Sequence, residues 1–289
     1  MSDFVQHNAS ELSFNSSNSW VILSPIELSI KRKIEAVGTP LKDWDIQINY
    51  GIKTGFNDAF IITTETRNII LSNCTDEDER KRTEELIRPI LRGRDIKRYG
   101  YEWAGLYLIA TFPSRHYDIE KYPAVKAHLL SFGMERLEQT GKESVVNGQK
   151  VKARKKTNNK WFETQDSISY WDEFYNPKVF YSDITQKLEF ALCDEVIFCN
   201  NTTYFLSSKN LDLLKHIQVY LNHKLFDWYY RTISVQLGSS AVRMFSIYVL
   251  NLPIPKDVPI NIYQVFQLNE EEIGYIENYS LNYIHGRFF

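Results

Sequence analysis

The chain has 289 residues, of which 43% are hydrophobic and 24% are charged. This composition is typical of a globular protein, and the length exceeds what one core usually covers, so we expect one large irregular domain or two smaller lobes. The formal net charge of −2 excludes a polycation. Any nucleic-acid surface must therefore be a local basic patch that acidic residues balance elsewhere.

The cysteines and the apolar runs exclude three further classes of protein. Cys74, Cys193 and Cys199 have neither C-x-x-C spacing nor a neighbouring histidine pair, which argues against a zinc site and against a secreted disulfide framework. No apolar run approaches the ~18 residues of a membrane span, and the polar residues 1–18 contain no signal-peptide core. We therefore expect a cytoplasmic protein with no membrane partner.

The first predicted elements surround a loop that carries two glycines. Ser24 as a cap, Pro25 at the first helical position and Glu27 three residues after the cap predict a helix that continues to about Val37. Residues 45–50 alternate apolar and polar side chains, and residues 59–64 are β-branched and aromatic, so both segments are predicted strands.

The loop between these two strands has the chemistry of a binding element. Gly51 and Gly55 permit positive φ and close backbone approach, while Lys53, Thr54 and Asn57 offer a cation, a hydroxyl and an amide. Such groups suit a phosphate or a base edge. The alternative is an ordinary glycine-bearing hairpin.

A second capping signal, Thr75 with Asp78, predicts a helix that continues to about Leu91. Acidic residues begin this helix and basic residues end it, as the helix dipole favours. The basic run continues past Gly93, which predicts either a solvated face or a contact with the DNA backbone. Its members are Arg88, Arg92, Arg94, Lys97 and Arg98.

The central segment holds the most basic part of the sequence. After a predicted strand over residues 107–112 and a predicted helix over residues 122–140, residues 150–161 contain no acid and end at Trp161. A basic, amide-bearing loop beside a tryptophan can clamp phosphates and touch bases; the alternative is a mobile solvated loop. If the chain has two lobes, we place the boundary near residues 141–160.

The last third combines short strands with one apolar helix. Residues 178–205 are strand-rich, and residues 210–231 carry apolar side chains at helical spacing, from Leu214 to Trp228. A small-residue loop follows at residues 238–243, then an extended segment over residues 248–255. Asn269 with Glu272 predicts a last short helix.

No complete active site is visible in the sequence. A methyltransferase needs a Gly-rich cofactor loop after a strand, and no such loop is present; Asn176-Pro177-Lys178-Val179 lacks the second proline and the aromatic residue of the motif that holds a flipped adenine. The one Glu-x-Lys sequence of a nuclease type, Glu79-Arg80-Lys81, lies in a charged helical turn. We therefore predict no catalytic residue and no metal site.

Three separated blocks together resemble a known family. They are residues 51–60 (GIKTGFNDAF), residues 87–96 (IRPILRGRDI) and residues 252–255 (LPIP). In this order they resemble the TaqI-like C-terminal specificity domain, the target-recognition part of adenine-N6 DNA methyltransferases and type IIG restriction enzymes, which is related to the recognition domains of type I specificity subunits. Residues 161–163, 177–184 and 201–205 are similar to the family's central blocks.

The resemblance implies a mixed α+β fold of irregular twisted sheets with flanking helices. It covers residues 24–255, which leaves a polar N-terminal segment over residues 1–23 and a C-terminal extension with a short helix over residues 256–289. It implies double-stranded DNA as one partner and an adenine methyltransferase domain or subunit, placed N-terminally, as the other. That partner supplies S-adenosylmethionine, and this chain holds no cofactor. Since the cofactor motifs of such enzymes are missing here, we expect a fragment that begins after the catalytic domain.

Cations and loop amides bind the DNA backbone and so position a protein on the duplex. The side chains of Arg, Lys, Asn and Gln read base edges. The candidates for backbone contacts are Lys53, Thr54, Gly55, Asn57, Arg92, Arg94, Lys97 and Arg98. The candidates for base or loop contacts are Arg154, Lys155, Asn158, Asn159, Ser240 and Arg243. Two other hypotheses stay open: a Mg²⁺-dependent nuclease with an unrecognised site, and an interaction module that docks the helix over residues 210–231 on another protein.

Overall fold

The computed structural model describes residues 23–238, 240–257 and 261–284. The helices are α1 (Pro25–Val37), α2 (Asn57–Phe60), α3 (Thr64–Ser72), α4 (Glu77–Leu86), α5 (Pro123–Leu130), α6 (Met134–Leu137), α7 (Leu211–Leu221), α8 (Lys224–Ile233), α9 (Ser246–Val249), α10 (Ile262–Val265) and α11 (Glu270–Ile284). The strands are β1 (Thr39–Pro40), β2 (Gln47–Tyr50), β3 (Ile61–Thr63), β4 (Ile87–Leu91), β5 (Leu106–Ile109), β6 (Glu143–Val146), β7 (Gln149–Lys152), β8 (Lys178–Ser182), β9 (Ile184–Thr185), β10 (Phe190–Cys193), β11 (Phe198–Cys199), β12 (Thr203–Ser207), β13 (Gln236–Leu237), β14 (Ala241–Arg243) and β15 (Pro253–Ile254).

This mixture of helices and several sheets confirms the predicted α+β class. The chain folds into two compact units, and the larger contains residues 46–184 and 189–218. The segment over residues 141–160, where the sequence placed a boundary, lies entirely within the larger unit. No helix within the described ranges is both long and apolar enough to cross a membrane.

Two four-stranded sheets form the larger unit. One has the order β10-β8-β12-β2 with antiparallel pairs, and the other has the order β11-β4-β5-β3, in which β11 and β4 are parallel. Phe174, in a 3₁₀ turn, stacks on Phe198 of β11 at 4.3 Å between ring centroids and lies 4.5 Å from the ring of Phe205 on β12. Aromatic packing therefore joins the two sheets.

The loop at residues 51–60 is not a hairpin, because β2 and β3 belong to different sheets. The predicted second strand begins as a single helical turn, α2, and becomes β3 only at Ile61. The loop is thus the link between the two sheets. Its conformation depends on both of them, which no local pattern in the sequence shows.

The helix predicted from Thr75 to Leu91 is wrong over its last five residues. Asp76 is the observed cap and accepts a hydrogen bond from the backbone N–H of Glu79 at 2.7 Å, and the helix ends at Leu86. Residues 87–91 form strand β4 between β5 and β11. Pro89 disfavours helix at the residue before it, and Ile87 and Ile90 are buried in the sheet.

Two other long helices predicted from the sequence are each divided. The segment over residues 122–140 contains α5 and α6, separated at Gly133, which has φ +86°. The segment over residues 210–231 contains α7 and α8, and the His223 ring caps α8 by accepting a hydrogen bond from the N–H of Leu225 at 3.2 Å.

The smaller unit contains residues 23–45, 185–188 and the described residues from 219 onward. Helix α1 begins as predicted, with the N–H of Ser24 donating to Glu27 at 2.7 Å. The extended segment predicted over residues 248–255 instead begins within α9 and ends as β15, which pairs with β1. The last helix begins at the predicted Asn269–Glu272 pair and, at 15 residues, is not short. Most of the predicted segment over residues 1–23 lies outside the described residues.

Candidate nucleic-acid interface

An open groove of about 520 Å³ in the larger unit brings together segments that are far apart in the sequence. The loop after β2, the turn after β4 and the connections that leave β8 and β11 all contribute to it. Its walls carry both cations and carboxylates. The lining residues are Asn57, Asp58, Ile61, Arg92, Gly93, Arg94, Leu106, Ser182, Asp183, Ile184, Asn200 and Thr202.

Packing holds the loop at residues 51–60 in one conformation. The N–H of Gly51 donates to the carbonyl of Thr203 at 2.8 Å, and a Cβ on Gly51 would lie 1.9 Å from the carbonyl oxygen of Asn200. The hydroxyl of Thr54 donates to Oδ1 of Asn57 at 2.7 Å and accepts from the N–H of Phe56 at 3.1 Å. The glycine therefore serves close packing between backbones, and the threonine orients the exposed amide of Asn57.

These contacts divide the predicted residues of the loop into two groups. Thr54 is fully buried, so its hydroxyl acts inside the fold and not on a ligand. Gly55, with φ +78°, and Asn57 are exposed. Lys53 is half-exposed, with its ammonium 3.9 Å from Asp166 and 4.9 Å from the ring centroid of Tyr50. The accessible polar groups of the loop are thus the Asn57 amide and the Lys53 ammonium.

The basic turn after β4 is built around a bidentate ion pair. Nε and Nη2 of Arg92 donate to the two carboxylate oxygens of Asp95 at 3.0 and 2.7 Å, and this hydrogen bonding raises the pKa of Arg92. Gly93 packs closely, since its Cβ would lie 2.7 Å from the carbonyl oxygen of Thr202. The turn is therefore rigid, which places the next side chain, that of Arg94, in a defined position.

Arg94 is the exposed cation of this groove. Its side chain makes no ion pair with any described residue, and its carbonyl accepts a hydrogen bond from Nζ of Lys97 at 2.9 Å. Lys97 is half-buried and Arg98 is exposed. Of the predicted basic run, Arg94 and Arg98 hence present the most accessible charge.

Arg154 was predicted to touch DNA, and the structure gives it a different role. It is 3% exposed, and its guanidinium donates to the carbonyls of Leu137, Thr54, Glu163 and Trp161 at 2.8, 2.9, 2.7 and 2.5 Å. Burial lowers its pKa to about 10, so the group remains charged at neutral pH. A guanidinium used in this way is an internal clamp and cannot reach a base edge.

The other predicted residues of the basic segment differ in accessibility. Lys155 and Asn158 are exposed. The amide of Asn159 donates to the carbonyls of Thr164 and Gln165 at 3.2 and 2.8 Å, so it holds the segment in place. The segment is not a plain solvated loop, because its residues 150–152 belong to strand β7, which pairs with β6.

Ser240 and Arg243 belong to the smaller unit, at the short antiparallel pair of β13 and β14. The carbonyl of Ser240 accepts a hydrogen bond from Nη1 of Arg231 at 3.0 Å. The guanidinium of half-buried Arg243 lies 5.2 Å from the ring centroid of Phe245. The nearby Ser239 lies outside the described residues.

Glu79, the carboxylate of the one Glu-x-Lys sequence, has a structural role at the start of helices. The Glu79 carboxylate accepts hydrogen bonds from the N–H groups of Thr75 at 2.7 Å and Ala124 at 2.9 Å. In the part of the chain that the structure describes, no group of three or more His, Cys, Asp or Glu residues is arranged to hold a metal ion.

The apolar stripe behind the interaction-module hypothesis is part of the core. The side chains of Leu214, Ile217, Leu221, Leu225 and Trp228 are at most 1% exposed. A buried stripe cannot dock on another protein, so this hypothesis loses its supporting observation.

Several groove residues were missed in the sequence. Asp58 directly follows the predicted Asn57, and Asn200-Asn201 is a residue pair typical of a turn. Ser182 ends β8 and Asp183 follows it, within the block over residues 177–184, but neither was predicted as a site residue. The structure places both on the lining of the groove with Arg94 and Asn57.

Comparison with known proteins agrees with the resemblance seen in the sequence. The model of the TaqI-like C-terminal specificity domain matches residues 88–254, so the block at residues 51–60 lies upstream of the match. The chain is 22% identical over 249 residues to the Type II methyltransferase M.PaeR7I of Pseudomonas aeruginosa, covering 85% of this chain and 39% of that relative. It thus spans well under half of that protein's length.

Two solved structures also match at low similarity. One is the Type IIL restriction-modification enzyme MmeI in complex with DNA, with 14% identity, a TM-score of 0.48, and coverage of 84% of this chain and 29% of that chain. The other is the type IIG restriction endonuclease BpuSI, with 12% identity, a TM-score of 0.46, and coverage of 87% and 27%.

Proposed function

Because the chain belongs to the family of TaqI-like C-terminal specificity domains, we propose that it recognises a specific sequence of double-stranded DNA for a restriction–modification enzyme. The observation that carries the proposal is the groove in which Asn57, Arg94 and Asn200 meet. They come from three separate segments, two of which belong to the blocks that resemble this family. We infer that this groove faces the DNA.

The mixture of charges in the groove favours a duplex over a small anion. Arg94 and the amide of Asn57 offer donors, whereas Asp58 and Asp183 offer carboxylates that repel an isolated phosphate. A duplex presents phosphates together with base amino groups, and carboxylates accept hydrogen bonds from such groups. Both kinds of side chain then have a partner on one ligand.

Within this proposal the predicted residues have graded roles. Lys53, Arg94 and Arg98 carry accessible cations that contact phosphates and set the position of the domain along the duplex. Arg92, Thr54 and Asn159 support the neighbouring backbone through the hydrogen bonds described above. Arg154 supports it from inside the fold.

The catalytic steps belong, in this proposal, to a methyltransferase domain or subunit outside this chain. The chain spans 39% of its curated relative, which leaves room for such a domain in a full-length enzyme. We place the cofactor, S-adenosylmethionine, in the partner, and the assembly in the cytoplasm, where the DNA is.

The test is DNA binding as a function of salt. Each phosphate contact releases condensed counterions, so Arg94→Ala or Lys53→Ala should weaken binding about equally on all sequences and reduce the slope of log K against log salt by about one. Arg80→Ala is the matched control, since Arg80 is an exposed arginine on α4 that pairs with Glu84 at 3.7 Å, and it should change neither quantity. Equal salt slopes for Arg94→Ala and the wild type would contradict the proposal.

A further inference from the structure

Strands β6 and β7 form a two-stranded ribbon that stands apart from the sheets. Glu143 pairs with Lys152 and Val146 with Gln149, and no other strand among the described residues pairs with either partner. The turn contains Asn147 and Gly148, with φ of 49° and 78°. Positive φ at both central residues is the geometry of the tight turn that matches the twist of a hairpin.

The ribbon exposes nearly everything that it carries. Val145 is 70% exposed, and only Val146 and Val151 are partly covered. Asn147 and Gln149 are exposed, and neither side chain makes a hydrogen bond with a described residue. A two-stranded hairpin alone is marginally stable in water, so an exposed ribbon with unused amides at its end is suited to acquire a partner.

The charge of the ribbon and of its flanks points to an anionic partner. Between residues 142 and 156 there is one carboxylate, that of Glu143, in a chain whose net charge is −2. The cations of this stretch are Lys142, Lys150, Lys152, Arg154, Lys155 and Lys156. All of the lysines are exposed, and only Arg154 is buried. Polyanionic DNA is complementary to this surface.

The foot of the ribbon is fixed firmly, although its end is free. The pairing continues beyond the two strands through two backbone hydrogen bonds. The N–H of Ala153 donates to the carbonyl of Lys142 at 2.9 Å, and the N–H of Gly141 donates to the carbonyl of Arg154 at 2.8 Å. The Arg154 guanidinium then binds four carbonyls, one of them that of Thr54 in the loop that supplies Asn57. A rigid foot positions the end of the ribbon in advance of binding, which lowers the entropic cost of recognition.

We propose that this ribbon enters the major groove of the DNA and that Asn147 and Gln149 at its end read the edges of bases. The proposal rests on the DNA-recognition function proposed above. The major groove is about 12 Å wide and admits a two-stranded ribbon, whose strands lie about 4.8 Å apart. Asparagine and glutamine amides pair with the N6 and N7 atoms of adenine. Lys150 and Lys152 lie on strand β7 and neutralise phosphates beside the groove.

The experiment compares sequence preference between variants. The wild-type chain is first used to select bound duplexes from a randomised library at low salt. Asn147→Gly with Gln149→Ala removes both amides and keeps a turn that accepts positive φ; Asn73→Ala removes an exposed amide elsewhere in the larger unit as the control. Affinity is then measured on the selected duplex and on a scrambled duplex of the same length. Thermal unfolding of each variant verifies that it is folded.

The tip variant should bind the selected duplex about fivefold to a hundredfold more weakly per lost base contact, with no change on the scrambled duplex. Lys150→Ala with Lys152→Ala should weaken both duplexes equally and reduce the salt slope by about two. If the tip variant keeps the full preference of the wild type, the ribbon does not read bases and its partner is not the target site. If the wild-type chain itself selects no sequence, the proposed function fails, and that outcome is distinct from failure of the ribbon alone.

Discussion

Replacing Arg154 with alanine should destabilise the protein far more than the loss of an ordinary basic residue. The guanidinium is 3% exposed and donates four hydrogen bonds, to the carbonyls of Leu137, Thr54, Glu163 and Trp161. Alanine removes every one of these donors. The carbonyl of Glu163 keeps a hydrogen bond from Nε2 of Gln139 at 3.0 Å, and the other three carbonyls must find water or remain unpaired. The change also separates the foot of the β6–β7 ribbon from the loop at residues 51–60.

The magnitude follows from the three carbonyls that lose their donor. An unpaired buried acceptor costs about 1–3 kcal/mol, so three of them set an upper range of about 3–9 kcal/mol. Water that enters the space left by the side chain recovers part of this. We therefore expect the free energy of unfolding to fall by about 4 kcal/mol. At about 2–4 °C per kcal/mol for a unit of this size, the midpoint of thermal unfolding should fall by about 8–16 °C.

The assay is urea unfolding of the wild type, of Arg154→Ala and of Arg136→Ala. Arg136 is the matched control because it is exposed, donates to a single carbonyl, that of Lys152 at 2.6 Å, and lies 4.6 Å from the ring centroid of Phe56. Its loss should cost about 1 kcal/mol or less. An Arg154→Ala variant as stable as Arg136→Ala would refute the assignment of Arg154 as an internal clamp.

Two further predictions concern close packing and a buried charge. Gly93→Ala should lower the free energy of unfolding by about 1–3 kcal/mol, because its Cβ would lie 2.5 Å from Oγ of Ser182. Gly100→Ala is the control and should be nearly neutral in the same unfolding assay, since no atom lies within 4 Å of its Cβ. Equal costs for the two variants would contradict the close packing of Gly93. Lys178 is fully buried, and burial lowers its pKa from 10.5. Between the lowered pKa and 10.5 the unfolded chain binds more protons than the folded chain. The free energy of unfolding therefore rises with pH in this range. The Lys178→Met variant should lack this rise. The free energy of unfolding of the wild type minus that of the variant should therefore increase from neutral to alkaline pH. A difference that does not change with pH would contradict the lowered pKa of Lys178.

The sequence predicts an element correctly where residues close to one another in the chain determine its structure. The start of α1 at Ser24 and the start of α11 at Asn269 depend on capping residues three positions apart, and both are observed. Residues 87–91, predicted as the end of a helix and observed as strand β4, show the limit of this local information. There, burial between two strands that are distant in the sequence overrides the local pattern.

The candidate interface divides in the same way. Arg94 and Asn57 were predicted from the sequence, and the structure places both on the lining of the groove. Arg154 could not be assigned from the sequence, since it lies in a lysine-rich run that is typical of a solvated segment. Its role depends on four backbone carbonyls, one of them that of Thr54, 100 positions away. Asp183 lies in the block over residues 177–184 and Asn200 in a turn signal, but only the tertiary structure shows that both line the groove.

The most direct test of the account is selection of duplex DNA by the wild-type chain from a library with a randomised centre. A specificity domain should enrich one short sequence over the non-specific background, and this binding should weaken steeply as salt rises. Recovery of the library unchanged, with no enriched sequence even at low salt, would contradict the claim that this chain recognises DNA.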